Sequence, residues 1–290
     1  MPGQTLSEVR GILAAAGLAP QHRFGQNFLI DLNLLRKLVA AAELTPADTV
    51  LEVGPGTGSL TECLLAAGAT VVAVEIDRGL QRVLAERFGG ETRLELVPGD
   101  VLAGKHAVNP DVRAALARRP PGPGGAYKLV ANLPYQVATP LLVDLLLITP
   151  TFERLVCTIQ REVGERLGAP VGDEAYGPVS VITQSLADTG VLARVPPEAF
   201  WPRPQVDSVM VMLRARPSAV GEAAAAFAAF VQRGFGQRRK MLRRFLGTLD
   251  GVEVEPVCAA VGISPQARPE DLPPVAWWRL FQAARPARSG

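Results

Sequence analysis

The sequence predicts an α/β protein: a seven-stranded sheet with helices between its strands, followed by a small all-helical C-terminal domain. Three observations carry this. Short apolar runs bounded by Gly, Pro and Asp recur at 49–53, 70–74, 93–97, 128–131 and 155–159. They alternate with stretches of helical periodicity, the pattern of parallel strands joined by crossover helices. The first run ends in Gly54-Pro55-Gly56-Thr57-Gly58 and opens at once into a helix at Ser59, a βα unit that lets backbone approach a nucleotide closely. From about residue 217 the alternation gives way to helical patterning alone, which sets the expected boundary between domains 1–216 and 217–290.

Bulk properties set limits. With 290 residues, 48% of them hydrophobic, and mean hydropathy +0.18, the chain can bury a large core. Low aromatic content (6%) and 25 prolines point to an Ala/Leu/Val core with stiff loops. The net charge of +2 gives no whole-molecule attraction to nucleic acid, but it is unevenly placed. Residues 196–290 hold 13 Lys/Arg against 8 Asp/Glu, and residues 1–195 hold 17 against 20. Cys63, Cys157 and Cys258 are widely spaced and form neither a disulfide framework nor a metal knuckle. His22 and His106 are the only histidines and lack partners at ligand spacing, so no metal is expected. No apolar run approaches the roughly 18 residues of a membrane span, and residues 1–30 lack a signal-peptide layout. The expectation is a soluble, cytoplasmic protein with no membrane partner.

Thr5 and Glu8 form a capping box ahead of Leu6, Val9, Ile12 and Leu13, a short surface helix ending near Gly17. The segment His22-Arg23-Phe24-Gly25-Gln26-Asn27-Phe28-Leu29-Ile30-Asp31 leads into a helix capped by Asp31, with Leu34, Leu35, Leu38 and Val39 inward. Spacing alone makes Phe24 and Phe28 hydrophobic staples and Asn27 a loop residue. Strand 49–53 carries Glu52 just before the glycine-rich turn. Counted from Gly54, the third glycine falls at Gly58, one place earlier than a dinucleotide fingerprint requires. That spacing suits S-adenosylmethionine better than NAD, because the former brings no pyrophosphate to the helix end.

The second strand ends in Glu75-Ile76-Asp77, where a carboxylate can accept ribose hydroxyls, although Asp77 reads equally as the cap of the next helix. The third ends at Gly99-Asp100, a carboxylate suited to an adenine amino group or simply to a turn. Residues 109–119 read as a polar helix and 120–125 as a Pro/Gly surface loop. The fourth strand, Lys128-Leu129-Val130-Ala131, runs into Asn132-Leu133-Pro134-Tyr135. Taken alone, this tetrapeptide is more often an Asn-Pro turn with a packed Tyr. Beside three strand ends that open on one crevice, it offers two acceptors for the N–H bonds of a base amine and a ring to stack on the base. A buried helix follows Thr139-Pro140, then strand 155–159, Gln160-Arg161-Glu162 and a helix with Arg166. Tyr176-Gly177-Pro178 starts another helix, and strands at 191–195 and 208–213 flank Phe200-Trp201-Pro202-Arg203-Pro204. In the last domain an Ala-rich helix at 222–232 precedes Arg233, Arg238, Arg239, Lys240, Arg243 and Arg244, with no acid between Glu222 and Asp250. Six cations without counter-charge read as a phosphate-binding stripe rather than a merely solvated face. Residues 271–285, with Trp277, Trp278, Leu280 and Phe281, read as a closing helix.

Together these pieces resemble the KsgA/RsmA family of small-subunit rRNA adenine N6,N6-dimethyltransferases, from about residue 20 to 285. The carrying motifs are Phe24-Gly25-Gln26-Asn27-Phe28-Leu29, Glu52-Val53-Gly54-Pro55-Gly56-Thr57-Gly58, Val74-Glu75-Ile76-Asp77, Gly99-Asp100 and Asn132-Leu133-Pro134-Tyr135 with Thr139-Pro140. Gln160-Arg161-Glu162, Tyr176-Gly177, the run from Phe200 to Ser208, and Arg238-Arg239-Lys240 match as well. The resemblance implies a Rossmann-like class I methyltransferase sheet and a helical RNA-binding domain. It implies S-adenosylmethionine as cofactor, held by Asn27, Leu29, Gly54, Glu75, Asp100 and Asn132 with Gly56, Ile76 and Val101. Leu133, Pro134 and Tyr135 would hold the target base with Asn132, and Phe200 would cover its other face. The implied reaction dimethylates two adjacent adenosines in a hairpin loop near the 3′ end of 16S rRNA, in a 30S precursor particle, by a monomer. Gln136-Val137-Ala138 and the long 120–125 loop depart from the family pattern. Rival readings are the macrolide-resistance type of 23S rRNA adenine methyltransferase and a non-catalytic RNA-binding or transcription-accessory relative. The Phe24–Leu29 run and the long helical C-terminal part oppose the first, and intact Asn132-Leu133-Pro134-Tyr135 with Glu75 opposes the second.

Overall fold

The computed structural model describes residues 3–104, 107–148, 152–216, 221–236 and 240–284. They form two compact units, 1–164 with 190–215 and 165–189 with 216–290.

In chain order, α1 (Leu6–Ala15) starts at the Thr5 cap, where the Glu8 carboxylate accepts the Thr5 backbone N–H at 2.7 Å. β1 (Phe28–Leu29) precedes α2 (Leu32–Ala41), whose first free N–H groups, of Asn33 and Leu34, donate to Asp31. Then follow β2 (Thr49–Val53), α3 (Ser59–Ala66), β3 (Thr70–Glu75), α4 (Arg78–Phe88) capped by Asp77, β4 (Leu94–Pro98), α5 (Pro110–Arg118), β5 (Tyr127–Asn132), α6 (Ala138–Leu147), β6 (Arg154–Gln160) and α7 (Arg161–Gly168). α8 is Pro178–Leu186, β7 Ala187–Val195, β8 Phe200–Trp201 and β9 Ser208–Ala215.

The main sheet has the order β4-β3-β2-β5-β6-β9-β7. β2 pairs with both β3 and β5 in parallel, and β5 with β6, whereas β9 runs antiparallel to β6. The chain therefore builds outward from β2 in one direction, then crosses over to β5 and builds in the other. That reversal opens a crevice beyond the carboxyl ends of β2 and β5. Every residue of β2 is buried, as a strand covered on both faces requires. The sheet packs on Leu35, Leu38 and Leu64 from the helices, with Val50, Val71 and Val130 from the strands. A second, two-stranded sheet pairs Phe28 with Trp201 and Leu29 with Phe200, tying the segment before α2 to the segment before β9. The sequence had not indicated it, since two-residue strands carry no periodicity to read.

The second unit contains α8 with α9 (Ala224–Phe235), α10 (Leu242–Leu246), α11 (Val254–Val261) and α12 (Pro274–Ala283). Its centre is aromatic. Trp277 is fully buried, its indole N–H donates to the Pro269 carbonyl, and its ring stacks on Phe235 at 5.3 Å. Gly234 permits this approach, because a Cβ there would lie 2.5 Å from the Trp277 ring. The last passage of the chain between the units falls at 215/216. Residues 165–189, however, group with the later helices, because Tyr176 donates to the Leu272 carbonyl at 2.6 Å and α8 packs on α9 and α12.

Candidate functional site

A cavity of about 310 Å³ opens at the carboxyl ends of β2, β3, β4 and β5. Its floor is the glycine-rich turn. Gly56 (φ 62°) and Gly58 (φ 88°) adopt backbone that side chains resist, and a Cβ at Gly56 would meet the Phe28 ring at 2.8 Å. Its roof is residues 23–29, with Val9 of α1 beside them. Two contacts hold that roof. The Gln21 and Gln26 amides both donate to one Asp77 oxygen, at 2.7 and 3.0 Å, while the other Asp77 oxygen caps α4. At the opposite side the buried Gln4 amide donates to the Thr57 carbonyl and accepts from the Thr57 hydroxyl. The expected surface helix α1 is thus tied to the cavity by the residue before its cap, and its Val9 and Leu13 are buried.

Two carboxylates enter the cavity, and neither forms an ion pair with a cation among the described residues. Glu75 accepts N–H groups from Gly56 (3.2 Å) and Asp77 (2.9 Å); burial nonetheless raises its pKa to about 7. Glu52 is 1% exposed, and burial raises its pKa to about 8, against a Thr61 hydroxyl bond that works the other way. Its Oε1 has no hydrogen-bond partner among the described residues. A buried, unpaired carboxylate oxygen is costly, and an entering cation with N–H groups satisfies it. On the rim, Ile76 is 43% exposed, beside Val101 and the Asp100 carboxylate, which accepts the Leu102 N–H. An apolar surface next to an acceptor suits a flat heterocycle with an amino group.

At the end of β5, the Asn132 amide is held from both sides. Its Nδ2 donates to the Asn27 carbonyl at 2.8 Å, and its Oδ1 accepts from the Thr158 hydroxyl. Thr158 stands opposite Asn132 in the β5–β6 register. The Leu133 N–H donates to the Thr158 carbonyl at 3.2 Å. Pro134 and Tyr135 follow on the cavity wall, and the half-buried Tyr135 hydroxyl lies 2.8 Å from the buried Ser208 hydroxyl.

Every residue expected to hold cofactor lines this cavity: Asn27, Leu29, Gly54, Gly56, Glu75, Ile76, Asp100, Val101 and Asn132. So do Leu133, Pro134 and Tyr135. Phe200 does not. It is 3% exposed within the core that contains Leu29, and strand alternation turns Trp201 outward instead, between Phe28 and Arg10. Its ring is therefore not presented to a base. Arg233, Lys240, Arg243 and Arg244 are exposed on the second unit, and none pairs with an acid among the described residues; Arg238 and Arg239 lie outside those residues. No group of His, Cys, Asp and Glu among the described residues could hold a metal ion, and no described helix is long and apolar enough to cross a membrane. Sequence reasoning missed Thr158, Gln26 and Gln4. A threonine inside a buried strand run carries no signal beyond its strand preference.

Comparison with known proteins adds four likenesses. Residues 18–285 match the family described as ribosomal RNA adenine dimethylase. A ribosomal RNA small subunit methyltransferase A from Moorella thermoacetica is 41% identical over 276 residues, covering 93% of each chain. Among solved structures, a dimethyladenosine transferase from Plasmodium falciparum aligns with TM-score 0.67 at 25% identity, over 86% of this chain and 94% of that one. The 23S rRNA methyltransferase ErmE aligns with TM-score 0.63 at 26% identity, over 89% and 99%.

Proposed function

The chain belongs to the ribosomal RNA adenine dimethylase family, and from that premise we propose that it transfers methyl groups from S-adenosylmethionine to the N6 amine of adenosines in 16S rRNA. The observation that carries the reading is the Asn132 amide, clamped at the mouth of β5 in the same cavity as Glu75 and the unpaired Glu52 oxygen. When bound, S-adenosylmethionine supplies an electrophilic methyl on a sulfonium. Glu75 would accept the ribose hydroxyls, Asp100 the adenine amino group over Ile76 and Val101, and Glu52 the cationic amino-acid end.

An adenine amine is a poor nucleophile, because its lone pair is delocalised into the ring. The second lone pair of Asn132 Oδ1 and the Leu133 carbonyl would accept its two N–H bonds, pyramidalise the nitrogen and free that pair. The Tyr135 ring would pack on the base, which must leave its stack to enter. In-line positioning supplies the rate, and the methylated cation sheds its proton without a strong base. The exposed Arg233, Lys240, Arg243 and Arg244, with Arg238 and Arg239, would meet RNA phosphates. The proposed substrate is a 30S precursor particle, carrying two adjacent adenosines in a hairpin near the 3′ end of its 16S rRNA, and the proposed agent is a cytoplasmic monomer.

The likeness to ErmE keeps the large subunit as the second reading. Incubation with undermethylated 30S and with 50S subunits, followed by mass-spectrometric mapping, decides between them: dimethyladenosine is expected in 16S rRNA only. Asn132→Ala should lower turnover at least about a hundredfold and leave cofactor affinity within a few-fold; near-normal turnover would remove the amine-positioning role.

A further inference from the structure

We infer that Thr158 is a positioning residue for the methyl transfer, because its hydroxyl locks the Asn132 amide in the orientation that the Asn27 carbonyl dictates and leaves one Oδ1 lone pair for substrate. The inference rests on the reading of Asn132 given above. An Asn amide can turn over about its last torsion and exchange Oδ1 for Nδ2 at little intrinsic cost. The two orientations are opposite in chemistry. Oδ1 toward the cavity accepts an amine N–H, whereas Nδ2 there would donate into the nitrogen lone pair that has to attack.

Two partners set the choice. The Asn27 carbonyl can only accept, so it requires Nδ2 at 2.8 Å. The Thr158 hydroxyl can act in either sense, but with Nδ2 engaged elsewhere it is left to donate to Oδ1. Thr158 is 1% exposed on β6, directly across from Asn132, so its hydroxyl has no solvent to turn to. Its donation occupies the lone pair directed at β6, and the remaining lone pair is the one available for substrate. The clamp also joins two separate elements, since Asn27 belongs to the roof of the cavity and Thr158 to β6, beside the strand that ends in Asn132. After the first transfer the amine has a single N–H left, so a wandering amide should penalise the second transfer more than the first.

The test is Thr158→Val, nearly isosteric and lacking only the donor, assayed as full-length protein on undermethylated 30S subunits. Turnover should fall about tenfold, the scale of one lost hydrogen bond. Monomethyladenosine should accumulate, cofactor affinity should hold within about twofold, and Thr158→Ser should restore turnover. In an Asn132→Ala background, Thr158→Val should add nothing, because the two act as a unit. Normal turnover and product ratio in Thr158→Val beside an active wild type would overturn the inference. So would an undiminished Thr158→Val effect in the Asn132→Ala background. Failure of the parent protein itself to methylate 30S subunits would instead sink the reading on which the inference stands.

Discussion

The two ends of the parallel strands are built from the same apolar runs yet treat charge in opposite ways. At the amino ends, the Lys128 ammonium is 2.8 Å from Asp48 and from the Glu43 carbonyl, and the Arg154 guanidinium grips the Glu43 carboxylate and the Ala41 carbonyl. Burial works against the Asp48 carboxylate. The Lys128 ammonium and the Thr45 and Ala126 N–H groups more than offset this and hold its pKa below the usual range. At the carboxyl ends of β2 and β3, Glu52 and Glu75 are as deeply buried, and among the described residues no cation pairs with either. Carboxyl groups are paired with cations where only the fold is at stake and left without one where a ligand can supply it, which is the usual mark of a site.

The largest effect should come from breaking the neutral end. Lys128→Met leaves Asp48 buried without its cation and should cost about 3–5 kcal/mol of stability, read as a fall in unfolding midpoint. Cofactor affinity of the folded fraction should stay the same.

The charged end should respond to pH in the opposite sense from a salt bridge. Glu52 has a folded pKa of about 8 against 4.5 in the unfolded chain, so the fold takes up a proton. Its contribution is complete below about pH 4.5 and is lost as pH rises through about 8. Glu52→Gln should therefore unfold later than wild type in the ligand-free state at pH 9, by about 2–4 kcal/mol. The difference should vanish near pH 4; a constant offset across that range would show that Glu52 is not the titrating group.

A smaller effect sharpens the same contrast. Binding a cationic cofactor should ionise Glu52 and Glu75, so affinity should rise about tenfold between pH 6 and 8. Calorimetry in buffers of different ionisation heat should register proton release. Lys128→Met should leave that pH profile intact, and Glu75→Gln should flatten its lower part.

How much of this was readable in the sequence depends on whether the signal is local. The glycine turn, the strand-end Glu75 and Asp100, and the Asn132 tetrapeptide are contiguous motifs at strand termini, and the parallel sheet carries them to one cavity. Phe200 was placed by motif and not by pairing. Its inward turn follows from its register against Leu29, 171 positions earlier in the chain, which no local pattern encodes. The Thr158 hydroxyl needs the β5–β6 register to be seen beside Asn132. The Gln26 bond to Asp77 and the Gln4 bonds to Thr57 likewise join segments about 50 residues apart. Grouping of 165–189 with the C-terminal helices is a packing fact of the same kind, decided by which apolar faces meet.

That last arrangement has a practical consequence. The polypeptide passes between the two units at 164/165, 189/190 and 215/216, so no single cleavage separates them. A stop codon after 216 would delete α9 and α12, the two helices that α8 packs on, and leave α8 on the truncated product without them. Anyone dissecting this protein by limited proteolysis or gene shortening would have to remove residues 165–189 together with the tail.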